Sequence, residues 1–398
     1  MTAAHTIDLA WLSTGSTGAQ NYDEFADESK ITRIIEANPT SMLAVEMPDR
    51  TPEARAAGLS FEQCLPAAAE RLQALEDAGR FAPAKDVAVA YRITDSRGGV
   101  AYGLFCMVDT DEISTSADEP GRVIRNEDVF IEKVRQRAAL NNATRHLMSP
   151  VLLVQSDNPD DLQAALAAAC SGEPAVSDVD EAGRTHAVWP IAPGATQGRL
   201  LELAGGGELI VADGNHRSLA AQVGELPRFL AVVTTPDSVT IDPYHRLVAD
   251  PPLSGAELLD ALRAKRATVT TVDGPLSTPE SGTVHLYVDG AVHAVGLPDI
   301  SGSIVDRLDH ARVEHVLFND VLGMDAGDKR ITYVGGDYPP SWLAEQVDAG
   351  AADLAVLIAP VTVDDFIAVN LARLKLPRKS TWFTPKARAG LVLADLRG

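Results

Sequence analysis

The chain has 398 residues, with 34 basic against 56 acidic side chains and a net charge of −22, which excludes general electrostatic attachment to nucleic acid or to an anionic membrane. Hydrophobic residues at 45% and charged residues at 23% describe an ordinary globular protein of roughly two or three domains. Cys64, Cys106 and Cys170 are odd in number, far apart and free of Cys-x-x-Cys spacing, so neither a disulfide framework nor a zinc site is indicated, and no apolar stretch reaches the roughly 18 to 20 residues of a membrane span.

Nothing at the N-terminus resembles a signal peptide, and a reducing, cytoplasmic location is the expectation. Ser13-Thr14-Gly15-Ser16-Thr17-Gly18 has the glycines of a phosphate loop but lacks the Walker lysine. Asn21-Tyr22-Asp23 follows, then a helical pattern over 31–37 and a strand-like apolar run over 41–45. Phe61, Leu65, Ala68, Leu72 and Leu75 recur at helical spacing and predict an amphipathic helix over 60–78. Segments 87–93 and 100–108, joined by Ser96-Arg97-Gly98-Gly99, read as a hairpin. An acidic loop over 109–121 leads to a basic helix over 129–148. Its Lys133, Arg135, Arg137 and Arg145 form a candidate phosphate-facing cluster in an acidic chain, although each taken singly reads as a solvated helix residue.

Beyond Ser149-Pro150, residues 151–154 predict a buried strand. Residues 156–204 then give a helix, a loop at Gly172-Glu173-Pro174, a short strand at 187–189 and a second helix. The apolar run 209–212 predicts another buried strand, and Leu219, Ala220 and Ala221 the body of a helix. Between them, Asp213-Gly214-Asn215-His216-Arg217-Ser218 falls where a helix presents its free N–H groups, which is an anion site in outline. Gly214 would permit a sharp turn or a close backbone approach, while His216 and Arg217 would supply donors and positive charge. On spacing alone, a surface turn capped by Asp213 explains the run equally well.

Strands at 229–233 and 239–241 bring in a second His-Arg pair within Asp242-Pro243-Tyr244-His245-Arg246. A helix and short strands over 251–295, interrupted by a linker-like loop at 276–282, precede a helix over 305–322, a strand with a glycine turn over 330–336, a buried strand over 354–358 and a helix over 363–374. The closing stretch from Leu376 to Lys386 is dense in basic residues and hydroxyls, as expected of a site or of a structural loop. The pattern as a whole predicts an α/β fold with mixed sheets, in an N-terminal lobe over 1–150, a central lobe over 151–250 and a C-terminal lobe over 251–398.

Several of these stretches together resemble the DUF1015 family. They are Asn21-Tyr22-Asp23, Asn38-Pro39-Thr40-Ser41, Ile124-Arg125-Asn126-Glu127, Ala212-Asp213-Gly214-Asn215-His216-Arg217, Pro243-Tyr244-His245-Arg246 and the long Pro377-Arg378-Lys379-Ser380-Thr381-Trp382-Phe383-Thr384-Pro385-Lys386. Two positions depart from the family pattern. Asn126 stands where the family has a histidine before its glutamate, and Asn215 where it has the first histidine of His-His-Arg. Each swap keeps a hydrogen-bonding group and removes a titratable imidazole. The Asp-Gly-x-x-Arg turn is also similar to that of the ParB/sulfiredoxin group, which implies a core of that type between additional N- and C-terminal lobes. The turn here has no cysteine for sulfiredoxin chemistry, and the acidic chain lacks the basic recognition helix of a DNA clamp.

The resemblance extends to free-serine kinases and implies a nucleotide-dependent kinase acting on a hydroxyl of a small polar metabolite, with a serine-like amino acid among the candidates. It implies Glu127 and Asp213 as catalytic residues, and Asp213 as a ligand of Mg²⁺. Gly214, Asn215, His216, Arg217, Ser218, Lys379, Ser380, Thr381 and Lys386 would bind ATP or ADP. Arg125, Asn126, His245 and Arg246 would line the substrate or phosphate. Phosphoryl transfer requires this kind of set, namely charge neutralisation, a metal ion and a base that orients the attacking hydroxyl. The expected partners are the nucleotide and a small-molecule substrate, with no nucleic acid and no membrane; a homodimer is compatible with the sequence. The competing expectations are a nucleotide-binding regulator without turnover and a phosphohydrolase.

Overall fold

The computed structural model describes residues 2–22, 25, 28–114, 121–126 and 129–397. The chain is a mixed α/β protein that forms two compact units, one made of Met1–Thr240 with Pro385–Gly398 and the other of Ile241–Thr384. Among the described residues, no helix is long and apolar enough to cross a membrane. Cys64, Cys106 and Cys170 are all buried free thiols.

The first unit is built on a twelve-stranded mixed sheet. Leu209–Asp213 lies parallel to Val123–Ile124 on one side and antiparallel to Val151–Gln155 on the other; Val151–Gln155 in turn runs parallel to Arg228–Thr234. The sheet continues through Val100–Asp109, Phe81–Thr94, Ile7–Ser13, Val392–Asp395 and His146–Leu147. Strands from both sides of residue 150 therefore share one sheet. The hairpin read from the sequence is present, with Phe81–Thr94 antiparallel to Val100–Asp109. Helices Pro159–Ala169 and Ala195–Ala204 press Leu162, Leu166, Leu200 and Leu203 into one core with Leu209, Val211, Phe229 and Val233. The continuous apolar strands 151–154 and 209–212 read as they do because side chains on both faces are buried.

Local expectations fail in two places of this unit. The run 41–45 is not a strand, since Leu43–Glu46 is a short, wholly buried helix whose entry is held by the Met42 N–H on the Thr17 carbonyl and the Leu43 N–H on Ser41 Oγ. Burial on every side erases the periodicity that separates a short helix from a strand. The basic helix also stops early. It spans Ile131–Thr144, because Arg145 adopts the left-handed conformation at φ 56° and His146–Leu147 joins the sheet. Its basic residues diverge as well. Arg137 is buried against the rings of Tyr22 and Phe61 at 3.9 and 4.9 Å, whereas Arg145 bonds the Leu396 carbonyl.

The second unit is a six-stranded sheet in the order Thr268–Val272, Ala291–Gly296, Val284–Val288, Leu354–Ile358, His245–Val248 and Ile331–Val334, with neighbouring strands antiparallel. Leu258, Leu262, Leu317 and Phe318 pack on one face and Leu343 on the other. The helical stretch expected over 305–322 is a 3₁₀ turn at Val305–Arg307, an α-turn at Asp309–Arg312 and a π-helix at Val313–Leu322, ended by left-handed Gly323.

Candidate phosphate-binding site

The site grows out of the strand Leu209–Asp213. Its pairing with Val151–Gln155 slips between Val211 and Asp213, so the strand carries an irregularity just before the turn. Bulges of this kind re-aim a side chain. Here the re-aimed residue is Asp213. Gly214 follows at φ 96°, a backbone conformation that side-chain-bearing residues rarely adopt, and the helix Asn215–Val223 starts immediately after it. A Cβ on Gly214 would sit 3.1 Å from the Arg217 guanidinium carbon and 3.2 Å from Val151 Cα. The glycine is thus required both by its conformation and by the close approach of its neighbours.

Asp213 stands between two cations. Its Oδ2 accepts from Arg217 Nη2 at 2.6 Å, and its Oδ1 from Lys386 Nζ at 3.3 Å. Asn21 Nδ2 adds a third donor at 3.3 Å. Arg217 is buried and also donates to the Pro150 carbonyl, so the guanidinium is fixed from both ends. The three groups bring a carboxylate and two cations together at a helix N-terminus.

The remaining residues of the turn are held from outside it. Asn215 Nδ2 donates to Asn126 Oδ1 at 2.5 Å, with both side chains buried. The two positions that depart from the family pattern are therefore hydrogen-bonded to each other. His216 Nε2 accepts the Phe130 N–H at 3.2 Å, and its ring lies nearly parallel to that of Phe130. An accepting Nε2 places the proton of a neutral ring on Nδ1. Ser218 is fully buried and its hydroxyl donates to the Asn215 carbonyl at 3.1 Å, a bond within the helix. Beside Arg217 lies a small cavity lined in part by Tyr22, Glu46, Arg137 and Ser149. Glu46 is a buried carboxylate that accepts the Ser149 hydroxyl.

Among the expected site residues, the first unit brings together Asp213, Gly214, Asn215, His216, Arg217, Ser218, Asn126 and Lys386. Arg125 is half-buried beside Asn126. Glu127 lies outside the described residues. Lys379, Ser380, Thr381, His245 and Arg246 belong to the second unit. There Arg246 is wholly buried, donating to the carbonyls of Tyr244, His245 and Arg378 and lying 4.3 Å from the Tyr333 ring. His245 Nδ1 accepts the Ile358 N–H, and burial, aided by the adjacent Arg246 charge, pushes its pKa down to about 3. His245 is therefore neutral across the physiological range. Lys379 has a left-handed φ of 53° with its ammonium 5.6 Å from the Tyr244 ring centre, and Ser380 is buried. Asn21 is the member of the constellation that sequence reasoning did not assign. Its signal was the Asn-Tyr-Asp turn, but its contact with Asp213 spans 192 residues.

Among the described residues, no group of three or more His, Cys, Asp or Glu side chains could hold a metal ion. The turn offers one carboxylate, and that carboxylate already faces two cations, so its residues do not form a Mg²⁺ site by themselves.

No curated protein matches the chain. Among solved structures, a conserved hypothetical protein from Pyrococcus furiosus is 13% identical, with the match covering 72% of this chain and 95% of that one at a TM-score of 0.38. A free serine kinase in complex with AMP is 12% identical, covering 70% of this chain and 87% of that one at a TM-score of 0.38. SbnI from Staphylococcus aureus with a C-terminal truncation is 13% identical, covering 71% and 84% at a TM-score of 0.39. The family model described as a protein of unknown function, DUF1015, matches residues 15–311, most of the sequence, and the chain belongs to that family.

Proposed function

We propose that the chain is a nucleotide-dependent kinase that transfers a phosphoryl group from ATP or ADP to a hydroxyl of a small polar metabolite, with serine-like amino acids among the candidates. The observation that carries this reading is Asp213 held between Arg217 and Lys386 at a glycine turn that opens a helix. Such a turn presents backbone N–H groups and two cations to phosphate oxygens while keeping one carboxylate at hand for a hydroxyl. In this scheme Arg217, Lys386, His216 and the N–H groups after Gly214 balance phosphate charge. Asp213 orients the acceptor hydroxyl, and Glu127, which directly follows Asn126 in the chain, is the base. Ser218 supports the helix. Arg125 and Asn126 line the same turn. Mg²⁺ would enter on the nucleotide's phosphates, the common manner for this ion, with Asp213 as its protein ligand.

The test is transfer of labelled phosphate from ATP or ADP, with Mg²⁺, to a panel of amino acids and polyols. The expected result is a phosphorylated product whose formation drops by about 100-fold or more in Glu127→Gln and Asp213→Asn, the scale of a lost general base or charge-orienting group, while both variants stay folded. Product from no acceptor refutes the proposal, and phosphate released only into water would make the protein a phosphohydrolase. One observation favours a second reading, nucleotide binding without turnover: the buried Asn126–Asn215 pair contains no group that titrates near neutrality. Calorimetry showing tight nucleotide binding in the absence of transfer would establish it.

A further inference from the structure

Arg388 lies two residues beyond Lys386, is 8% exposed and is held at each of its nitrogens. Its Nε meets Asp178 Oδ2 at 3.0 Å, its Nη1 meets Glu181 Oε2 at 3.2 Å, and its Nη2 donates to the Gly18 carbonyl at 3.2 Å. Its backbone N–H donates to the Tyr91 hydroxyl at 3.2 Å. That hydroxyl is set in turn by a buried imidazole. Asp180 Oδ2 can only accept, so His186 Nε2, 3.1 Å away, carries the proton, and His186 Nδ1 is left to accept from Tyr91 at 2.5 Å. Burial pushes the His186 pKa down, which keeps the ring the neutral acceptor that this order of bonds needs. The three acids come from one hairpin, Val176–Val179 with Thr185–Ile191 and the turn between them. Gly18 closes the arrangement. A Cβ there would sit 2.1 Å from Asp178 Oδ2 and 2.6 Å from Arg388 Nε, so the ion pair lies against a bare Cα. Gly18 ends the Ser13–Gly18 run, and this pair accounts for its glycine.

A buried ion pair gives little net stability over an apolar contact of the same shape, because desolvation offsets the attraction. A planar guanidinium bonded at all three nitrogens does, however, fix a direction. What it directs here is the segment in front of it. Lys386 Nζ reaches Asp213 Oδ1 at 3.3 Å, the Ala387 carbonyl accepts Asn21 Nδ2, which also donates to Asp213, and Ala389 makes a two-bond bridge with Ala19. A lysine's flexible stem gives its ammonium no fixed place of its own, so the place of its Cα decides how often the ammonium meets Asp213. We propose that Arg388, latched to the hairpin, is the positioning residue that holds Lys386 at the phosphate turn. The inference rests on the phosphate-site reading above and adds to it a residue that acts on the ligand only through Lys386.

A double-mutant cycle read by calorimetry of inorganic phosphate binding to the full chain tests it. Asp178→Ala is expected to weaken binding about three- to fivefold in the wild-type background and by less than about 1.5-fold when Lys386→Met is already present, since the latch then has nothing left to place. Sign matters as much as size, because loss of a carboxylate from an acidic chain would by charge alone draw phosphate closer. Gly18→Ala displaces the Asp178–Arg388 pair without removing either partner; it is expected to show the same pattern and decides the matter if Asp178→Ala fails to fold. Arg388→Lys keeps the charge but not the fork, and is expected to lose as much as Asp178→Ala. Binding that is unchanged or tightened in Asp178→Ala and Gly18→Ala, an equal loss in both backgrounds, or full affinity in Arg388→Lys overturns the proposal and leaves the phosphate site standing. If the wild-type protein binds no inorganic phosphate, the phosphate-site reading falls and this one with it.

Discussion

Replacing Gly214 by alanine probes the turn at its most constrained atom. The residue sits at φ 96°, and the added methyl would approach Arg217 Cζ and Nε at 3.1 Å and Val151 Cα at 3.2 Å. Positive φ for a residue with a side chain costs roughly 1–2 kcal/mol. The Val151 contact is with backbone in the middle of the sheet and cannot swing aside, while the Arg217 contact presses on a guanidinium fixed by Asp213 and Pro150. Overpacking of this kind adds about 1–2 kcal/mol. The sum, about 2–4 kcal/mol, corresponds to a melting midpoint lowered by roughly 5–12 °C for a unit of this size. Gly58→Ala is the matched control, because Gly58 is also left-handed, at φ 64°, but has nothing within 4 Å of its would-be Cβ. Scanning calorimetry of the two variants separates the conformational cost from the contact cost. Equal midpoints for Gly214→Ala and Gly58→Ala would refute the claim that close approach, and not conformation alone, demands glycine at the turn.

Lys386→Met removes one of the two cations on Asp213 and is expected to weaken binding of inorganic phosphate about three- to tenfold at low ionic strength, a loss that shrinks as salt is added. Asp395 is buried beside His146, and burial works against its charged form; hydrogen bonds from Arg397 and Trp11 outweigh this and hold its pKa at about 2. Its lowered folded-state pKa contributes stability above the usual carboxylate value that is lost as pH falls from about 4 towards 2. Arg397→Ala leaves the Trp11 and backbone N–H contacts in place and should shift the acid-unfolding midpoint upward by a part of that contribution, at most about 2 kcal/mol near neutrality by urea titration, and an unchanged acid limb would count against the pairing. His245 has the same direction of shift with the opposite charge. Below pH 6.5 the unfolded chain takes up a proton that the folded chain refuses until about pH 3, so stability falls with pH across that window. His245→Asn, which keeps an acceptor for the Ile358 N–H, should flatten that slope by up to about 4 kcal/mol over the window, as read by denaturant titrations at pH 7 and pH 4.

The turn itself was legible in the sequence because everything that defines it is local. A buried strand, a glycine and a run of helix formers sit within fourteen residues, and the structure reproduces their order. The partners of the turn were not legible from local pattern. Lys386 was expected at the site only through the family resemblance and Asn21 not at all; they reach Asp213 across 173 and 192 residues, and no periodicity or composition signals a contact of that separation. The division of the chain was hidden for the same reason. Val392–Asp395 returns to pair with Ile7–Ser13, so the last residues close the sheet that the first ones open, and linear lobes cannot describe such a unit. The strand expected over 41–45 failed on different grounds, since four buried residues in succession carry no period. The Asn126–Asn215 contact lies between these cases. Each substitution was visible alone as the loss of an imidazole, but only the fold shows that the two amides face each other.

The electrostatic setting of the site follows from the same pairing of local and distant residues. A body of net charge −22 repels a polyphosphate at long range, whereas the turn attracts it at short range through Arg217, Lys386 and the helix N-terminus. Salt screens these two contributions unequally. Charges spread over the surface are largely screened beyond roughly 8–10 Å at physiological ionic strength, while contacts near 3 Å in a partly buried site lose much less. Added salt therefore relieves repulsion as well as weakening attraction. A nucleotide bound at this turn would show a far shallower loss of affinity with salt than a polyanion bound by a basic surface, whose affinity falls steeply as counterions are added. Specificity in such a site has to come from hydrogen bonds at the turn and not from the field around it.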